Sequence, residues 1–134
     1  MKRIKLVLLL LSVFILTGCA NTLKCEIKTN NYESKVKVTY KDDKPTKYVF
    51  KDKMLFSPTS ADAELYYHSK YEEYNTLISE KHARLHNRAK DVSMEIKYDF
   101  TTDTSGQEGK LLISRNDTKG TAIKKIEDLG YKCK

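Results

Sequence analysis

The chain has 134 residues, 25 of them Lys or Arg against 18 Asp or Glu, for a formal charge of +7, and it lacks tryptophan. That length allows one domain with a modest single core. The sequence carries no internal repeat, no low-complexity tract, no CxxC redox motif and no apolar run long enough to form a stand-alone membrane span. Part of the basicity is targeting chemistry: without Lys2, Arg3 and Lys5 the charge falls to +4, a mild excess that argues only weakly for an anionic partner.

Those three cations are followed by an apolar core, Leu6 to Leu16, broken only by Ser12. A positive start and a short apolar stretch read as a secretory signal. It ends in Leu16-Thr17-Gly18-Cys19, which resembles the lipobox of bacterial lipoprotein precursors. The small residues give a peptidase access to the bond, and the Cys19 thiolate attacks a diacylglycerol donor to form a thioether. Two acyl chains hold a protein stably on a membrane where one holds it only marginally. The expectation is a signal peptide over residues 1–18, a lipid anchor and short linker over 19–22, and one domain over 23–134. Its place is extracytoplasmic, on the outer face of the cytoplasmic membrane if the source is Gram-positive.

With Cys19 spent on lipid, Cys25 and Cys133 remain, near the two ends of the mature chain. An even pair in an exported chain favours a disulfide over two free thiols or intermolecular pairing. The bond would close nearly the whole domain into one loop, worth up to roughly 4–5 kcal/mol in the chain-entropy model. It would also bring the C-terminus to the anchored end, gathering Lys24, Lys28, Lys132 and Lys134. Such a basic collar would face anionic lipid headgroups; a merely solvated surface is the competing reading.

In chain order, Leu23, Cys25 and Ile27 alternate with Lys24, Glu26 and Lys28. Asn30-Asn31 marks a turn, because Asn tolerates the left-handed conformation. Val36, Val38 and Tyr40 alternate with Lys35, Lys37 and Lys41, and Asp42-Asp43-Lys44-Pro45 reads as a second turn. Tyr48, Phe50, Met54 and Phe56 follow at even spacing, interleaved with Lys47, Lys51 and Lys53. Three such segments predict a half-buried antiparallel meander, apolar on one face and lysine-rich on the other.

At Ser57-Pro58-Thr59 the period changes. Thr59 with Asp62 resembles a capping box, and Ala63, Tyr67, Tyr71, Tyr74 and Ile78 share one helical face, which leaves Tyr66 outside. His82, Leu85 and Ala89 continue that period, so the spacing predicts a helix ending between residues 80 and 90. Val92, Met94, Ile96, Tyr98 and Phe100 then alternate as a strand, and Thr101–Gly109 is a polar loop. Leu111-Leu112-Ile113 suits an edge strand or a helical turn. Thr118 caps a last helix carrying Ala122, Ile123, Ile126 and Leu129; Gly130 ends it, and Tyr131-Lys132-Cys133 is an extended tail meeting Cys25. The expected fold is α+β in the order β-β-β-α-β-α, an antiparallel meander sheet with both helices on its apolar face.

The lipobox, the early Leu23-Lys24-Cys25, the Lys-rich meander and the closing Leu129-Gly130-Tyr131-Lys132-Cys133-Lys134 are together similar to the YehR-like group of small bacterial lipoproteins. That resemblance implies an exported, lipid-anchored α+β domain, with Cys19 lipidated and Cys25 bonded to Cys133. It supplies no catalytic motif.

Other motifs are thin. His82 and His86 are four apart but lack the glutamate of a zinc helix and sit beside Arg84 and Arg88. Gly106 to Lys110 lacks the first Gly and the final Ser or Thr of a phosphate loop. Asp99, Asp103 and Glu108 do not have the spacing of a calcium loop. Tyr66, Tyr67, Tyr71 and Tyr74 could form a stacking platform, but Tyr67, Tyr71 and Tyr74 share a face with Ile78 and suit core packing better, with Tyr66 left outside. No metal, cofactor or catalytic residue is expected, and nucleic acid is an unsuitable partner for an exported chain. The strongest surface is the lysine row Lys35, Lys37, Lys41, Lys47, Lys51 and Lys53, which would meet anionic lipid, a wall polymer or an envelope protein; lysines that merely protect the sheet are the plainer account. The expected function is a non-enzymatic envelope lipoprotein that binds a macromolecular or anionic partner near the membrane. The alternative is capture of a small ligand or metal in a pocket between sheet and helices.

Overall fold

The computed structural model describes residues 21–57, 61–103 and 106–134. The signal segment, Cys19 and Thr59 lie outside those residues.

Three strands, β1 (Thr22–Lys28), β2 (Tyr32–Lys41) and β3 (Lys44–Leu55), form the expected meander. The second turn is tighter than the sequence suggests. Only Asp42 and Asp43 make it, both left-handed (φ 52° and 58°), a two-residue hairpin geometry that suits the right-handed twist of the strands. Lys44 and Pro45 already belong to β3, and Pro45 opposes Tyr40 where the register shifts after Thr39.

The next region departs from expectation. Helix α1 (Asp62–Glu73) ends early, a short helix α2 (Asn75–Ser79) follows, and residues placed at the helix end form strand β4 (Ala83–Asn87). Ala61 stands at the start of α1 with no side-chain cap. Ala83 and Leu85 satisfy the helical period and the strand period alike. What decides is the backbone at Lys81 (φ 65°) and Ala89 (φ 64°), left-handed turns at residues that are neither Gly nor Asn. β4 pairs with the expected strand β5 (Asp91–Asp99), Leu85 opposite Met94.

After a 3-10 turn over Gln107–Lys110, residues 111–113 are neither strand nor helix. Leu111 and Ile113 are nevertheless buried, plugging the core with irregular chain, and the Leu112 N–H donates to the Tyr48 hydroxyl at 3.3 Å. Helix α3 (Lys119–Asp128) starts as expected, Thr118 Oγ1 accepting from the Thr121 N–H at 3.2 Å. Gly130 (φ 97°) turns the chain out of it. The tail becomes β6 (Lys132–Cys133), antiparallel to β1 with Cys25 opposite Cys133.

The result is one antiparallel six-stranded sheet, ordered β4-β5-β3-β2-β1-β6, with the helices on one face: an α+β fold. That face carries Leu23, Val36, Val38, Tyr48, Phe50 and Ile96, closed by Leu77 of α2 and by Ala122 and Ile126 of α3. Each fully buried Leu or Ile contributes about 1.5–3 kcal/mol. α1 is held more loosely against β4 and β5, with Ala63 its one buried residue.

Candidate anion-binding face

Strand alternation turns the opposite sheet face to solvent. Lys35, Lys37 and Lys41 of β2 and Lys47, Lys51 and Lys53 of β3 are all exposed there, as the alternation predicts. The register sorts them. One row crosses the whole sheet with mixed charge: Lys132, Glu26, Lys35, Lys51, Glu95 and Arg84. The neighbouring row places Lys134 and Lys24 side by side, the Lys134 N–H donating to the Lys24 carbonyl at 2.7 Å, and continues through Lys37 and Val49 to Lys97.

These two rows enclose a hollow of about 660 Å³, with Val49 as its apolar floor and Lys24, Lys35, Lys37, Lys51, Lys132 and Lys134 around it. Glu26 is the acid among them. Lys35 pairs with Glu33 at 3.2 Å and Lys51 with Glu95 at 3.4 Å, while Lys24, Lys37, Lys132 and Lys134 form no ion pair among the described residues. Glu95 also holds Lys97 at 3.4 Å. Slight burial opposes ionisation of Glu95, but Lys97 and Lys51 outweigh it and keep the carboxyl below its ordinary range. Pairs this exposed contribute about 0–1 kcal/mol each, so they do not lock the lysines away from a ligand.

The site therefore differs from the expected row. It brings Lys35, Lys37 and Lys51 together, leaves Lys41, Lys47 and Lys53 outside, and recruits Lys24, Lys132 and Lys134 from the expected collar. Lys28 falls in the next row, opposite Glu33. β6 reaches the face because Cys25 and Cys133 stand at disulfide distance, their sulfurs 2.04 Å apart.

A second hollow, about 290 Å³, lies on the same face at its other edge, bordered by Lys51, Arg84, His86, Arg88, Ser93 and Glu95. Assigning Arg84, His86 and Arg88 to a helix end hid it from the sequence reading. The histidines do not converge. His82 lies against Tyr98, ring centroids 5.3 Å apart, with Nδ1 3.6 Å from Asp103 Oδ2, whereas His86 stands on the open face. Among the described residues no group of three or more His, Cys, Asp or Glu is placed to hold a metal ion. The loop acids are taken by protein donors: Asp103 Oδ2 accepts from the Asp99 N–H at 2.9 Å, and Glu108 binds Arg115 Nε at 2.7 Å.

On the covered face, the tyrosines are arranged otherwise than expected. Tyr66 is turned inward, its ring 5.4 Å from Phe56, and Tyr71 is the outer one at 47% exposure. Asp52, absent from the residues singled out by motif, also lies on this face, where its even spacing between Phe50 and Met54 points it. It is 4% exposed, with the Tyr32 hydroxyl donating at 3.5 Å. Burial raises its pKa, partly offset by Lys70, by the Met94 N–H and by Tyr32. Beside it the Ser34 and Tyr131 hydroxyls share a 2.6 Å hydrogen bond.

Among the described residues no helix is long and apolar enough to cross a membrane. Compared with known proteins, the chain matches no family model, and no curated protein matches it in sequence. Among solved structures it is similar to the NMR structure of a protein from Streptococcus pneumoniae TIGR4, with 13% identity, 84% of each chain covered and a TM-score of 0.48, a likeness that says nothing of activity.

Proposed function

We propose that this chain is a lipid-anchored, extracytoplasmic envelope protein that holds an anionic partner on its open sheet face, close to the membrane, without catalysis. The observation that carries the reading is the 660 Å³ hollow bearing four lysines with no ion pair among the described residues. Cys19 and its lipobox supply the anchor. Lys24 follows Cys19 by five residues, about 17 Å of extended chain at most. A partner in the hollow would thus sit near the headgroups, within reach of anionic lipid, wall polymer or an acidic neighbour. Both hollows lie on the open face rather than between sheet and helices, which supports a surface-bound partner over an enclosed small ligand.

The test compares two triple variants of equal charge on phosphocellulose, using the full-length chain in neutral detergent. K24S/K37S/K134S removes lysines of the hollow, and K90S/K110S/K124S removes exposed ones elsewhere. At up to about 1 kcal/mol per lysine, the first should weaken retention 10- to 100-fold at low salt. The second should change it less than threefold. Equal losses would make retention a matter of net charge and refute the reading.

A further inference from the structure

We propose that the anionic partner is a linear polymer of phosphodiesters, laid across the strands from Lys132 on β6 to Arg84 on β4. This rests on the reading above and adds the chemistry and the footprint. The two hollows are not independent: Lys51 borders both. Together they run over all six strands, five steps of about 4.8 Å, or about 24 Å. A single phosphate or one lipid headgroup covers a fraction of that length. A phosphodiester repeat of six backbone bonds extends to about 7 Å by ordinary bond geometry, so about four phosphates reach from end to end.

The chemistry of the face favours this polymer over an acidic peptide. Its charged groups are mostly donors, lysine ammonium and arginine guanidinium, against the carboxylates of Glu26 and Glu95, with His86 and Ser93 able to donate or accept. An extended peptide crossing the face would bring an N–H in every residue and find few acceptors. The interior strands β1, β2, β3 and β5 have spent their own carbonyls on one another. A phosphodiester chain presents acceptors only. Val49, midway between the lysines, offers contact to the aliphatic carbons between phosphates.

The experiment uses fluorescein-labelled abasic sugar-phosphate oligomers of two and of six phosphodiesters, with the full-length chain in neutral detergent and anisotropy as readout. The longer probe should bind at least tenfold more tightly than the shorter at 100 mM salt. R84S/R88S should weaken the longer about tenfold and the shorter less than twofold. E95Q, which removes the acid beside Arg84 on β5, should tighten the longer about threefold, an effect of opposite sign that misfolding cannot mimic. Equal affinity for both lengths, or indifference to R84S/R88S, overturns the extended footprint and leaves a compact anion in the first hollow. Stronger binding to hexaglutamate overturns the polymer in favour of an acidic peptide, and binding only to phosphatidylglycerol vesicles overturns it in favour of the bilayer. Failure to bind any of these probes removes the anion-binding reading together with its extension.

Discussion

Removing the Cys25–Cys133 bridge should cost this protein a large share of its stability and part of its binding face. The two cysteines are 108 residues apart in sequence, and for a loop of that size the chain-entropy model gives about 4–5 kcal/mol. A domain of this size is stable by about 5–15 kcal/mol in total. The tail's other ties are short: β6 has two residues, paired to β1 at Cys25–Cys133 and Glu26–Lys132, flanked by the Lys134–Lys24 backbone bonds and the Tyr131–Ser34 hydroxyl bond. The C25A/C133A variant and the reduced wild type should therefore show urea midpoints lowered by about 2–5 kcal/mol once multiplied by the slope. Below the transition, both should also bind the six-phosphate probe about threefold to tenfold more weakly, because Lys132 and Lys134 leave the face as β6 frays. A stability loss under about 1 kcal/mol would refute the premise that the bridge closes the fold. Unchanged affinity in a destabilised protein would refute the role given to β6.

Two further predictions concern the covered face. Asp52 has a folded pKa above its unfolded one, so it contributes stability at pH below about 3.8 and loses that contribution as pH rises through the folded value. D52N should therefore gain on the wild type from pH 3 to pH 7 in melting temperature; a gap that stays constant or narrows would mean that Lys70 and Tyr32 fully compensate the carboxylate. Leu77, 0% exposed on a five-residue helix, should behave as a core residue. L77A should cost about 2–5 kcal/mol by chemical denaturation, and a cost below about 1 would show α2 to be peripheral.

Strands β1, β2, β3 and β5 were legible because each buries one face of a period-two pattern, and a one-residue slip would expose Val36, Phe50 or Ile96 together. α3 was legible from its Thr118 cap and Gly130 stop. β4 was not, because Ala83 and Leu85 fit both periods and the turns bounding it use Lys81 and Ala89 in a conformation that sequence assigns to Gly or Asn. The tyrosine face was misjudged for a related reason: where α1 docks on Phe56 is a tertiary fact, and it leaves Tyr66 half-buried against that ring and Tyr71 exposed. The lysines were readable as a row but not as a hollow. Their grouping depends on β6 closing one edge of the sheet and β4 the other, pairings between residues far apart in the chain. Asp52 was readable from spacing alone.

The most direct measurement of the central claim, that the open sheet face is where the partner lies, is lysine acetylation footprinting with and without the six-phosphate oligomer. Lys24, Lys37 and Lys134 should be acetylated at least fivefold more slowly in the complex, while Lys90, Lys110 and Lys124 react as before. Protection spread evenly over both sets, or confined to the second, would contradict that claim.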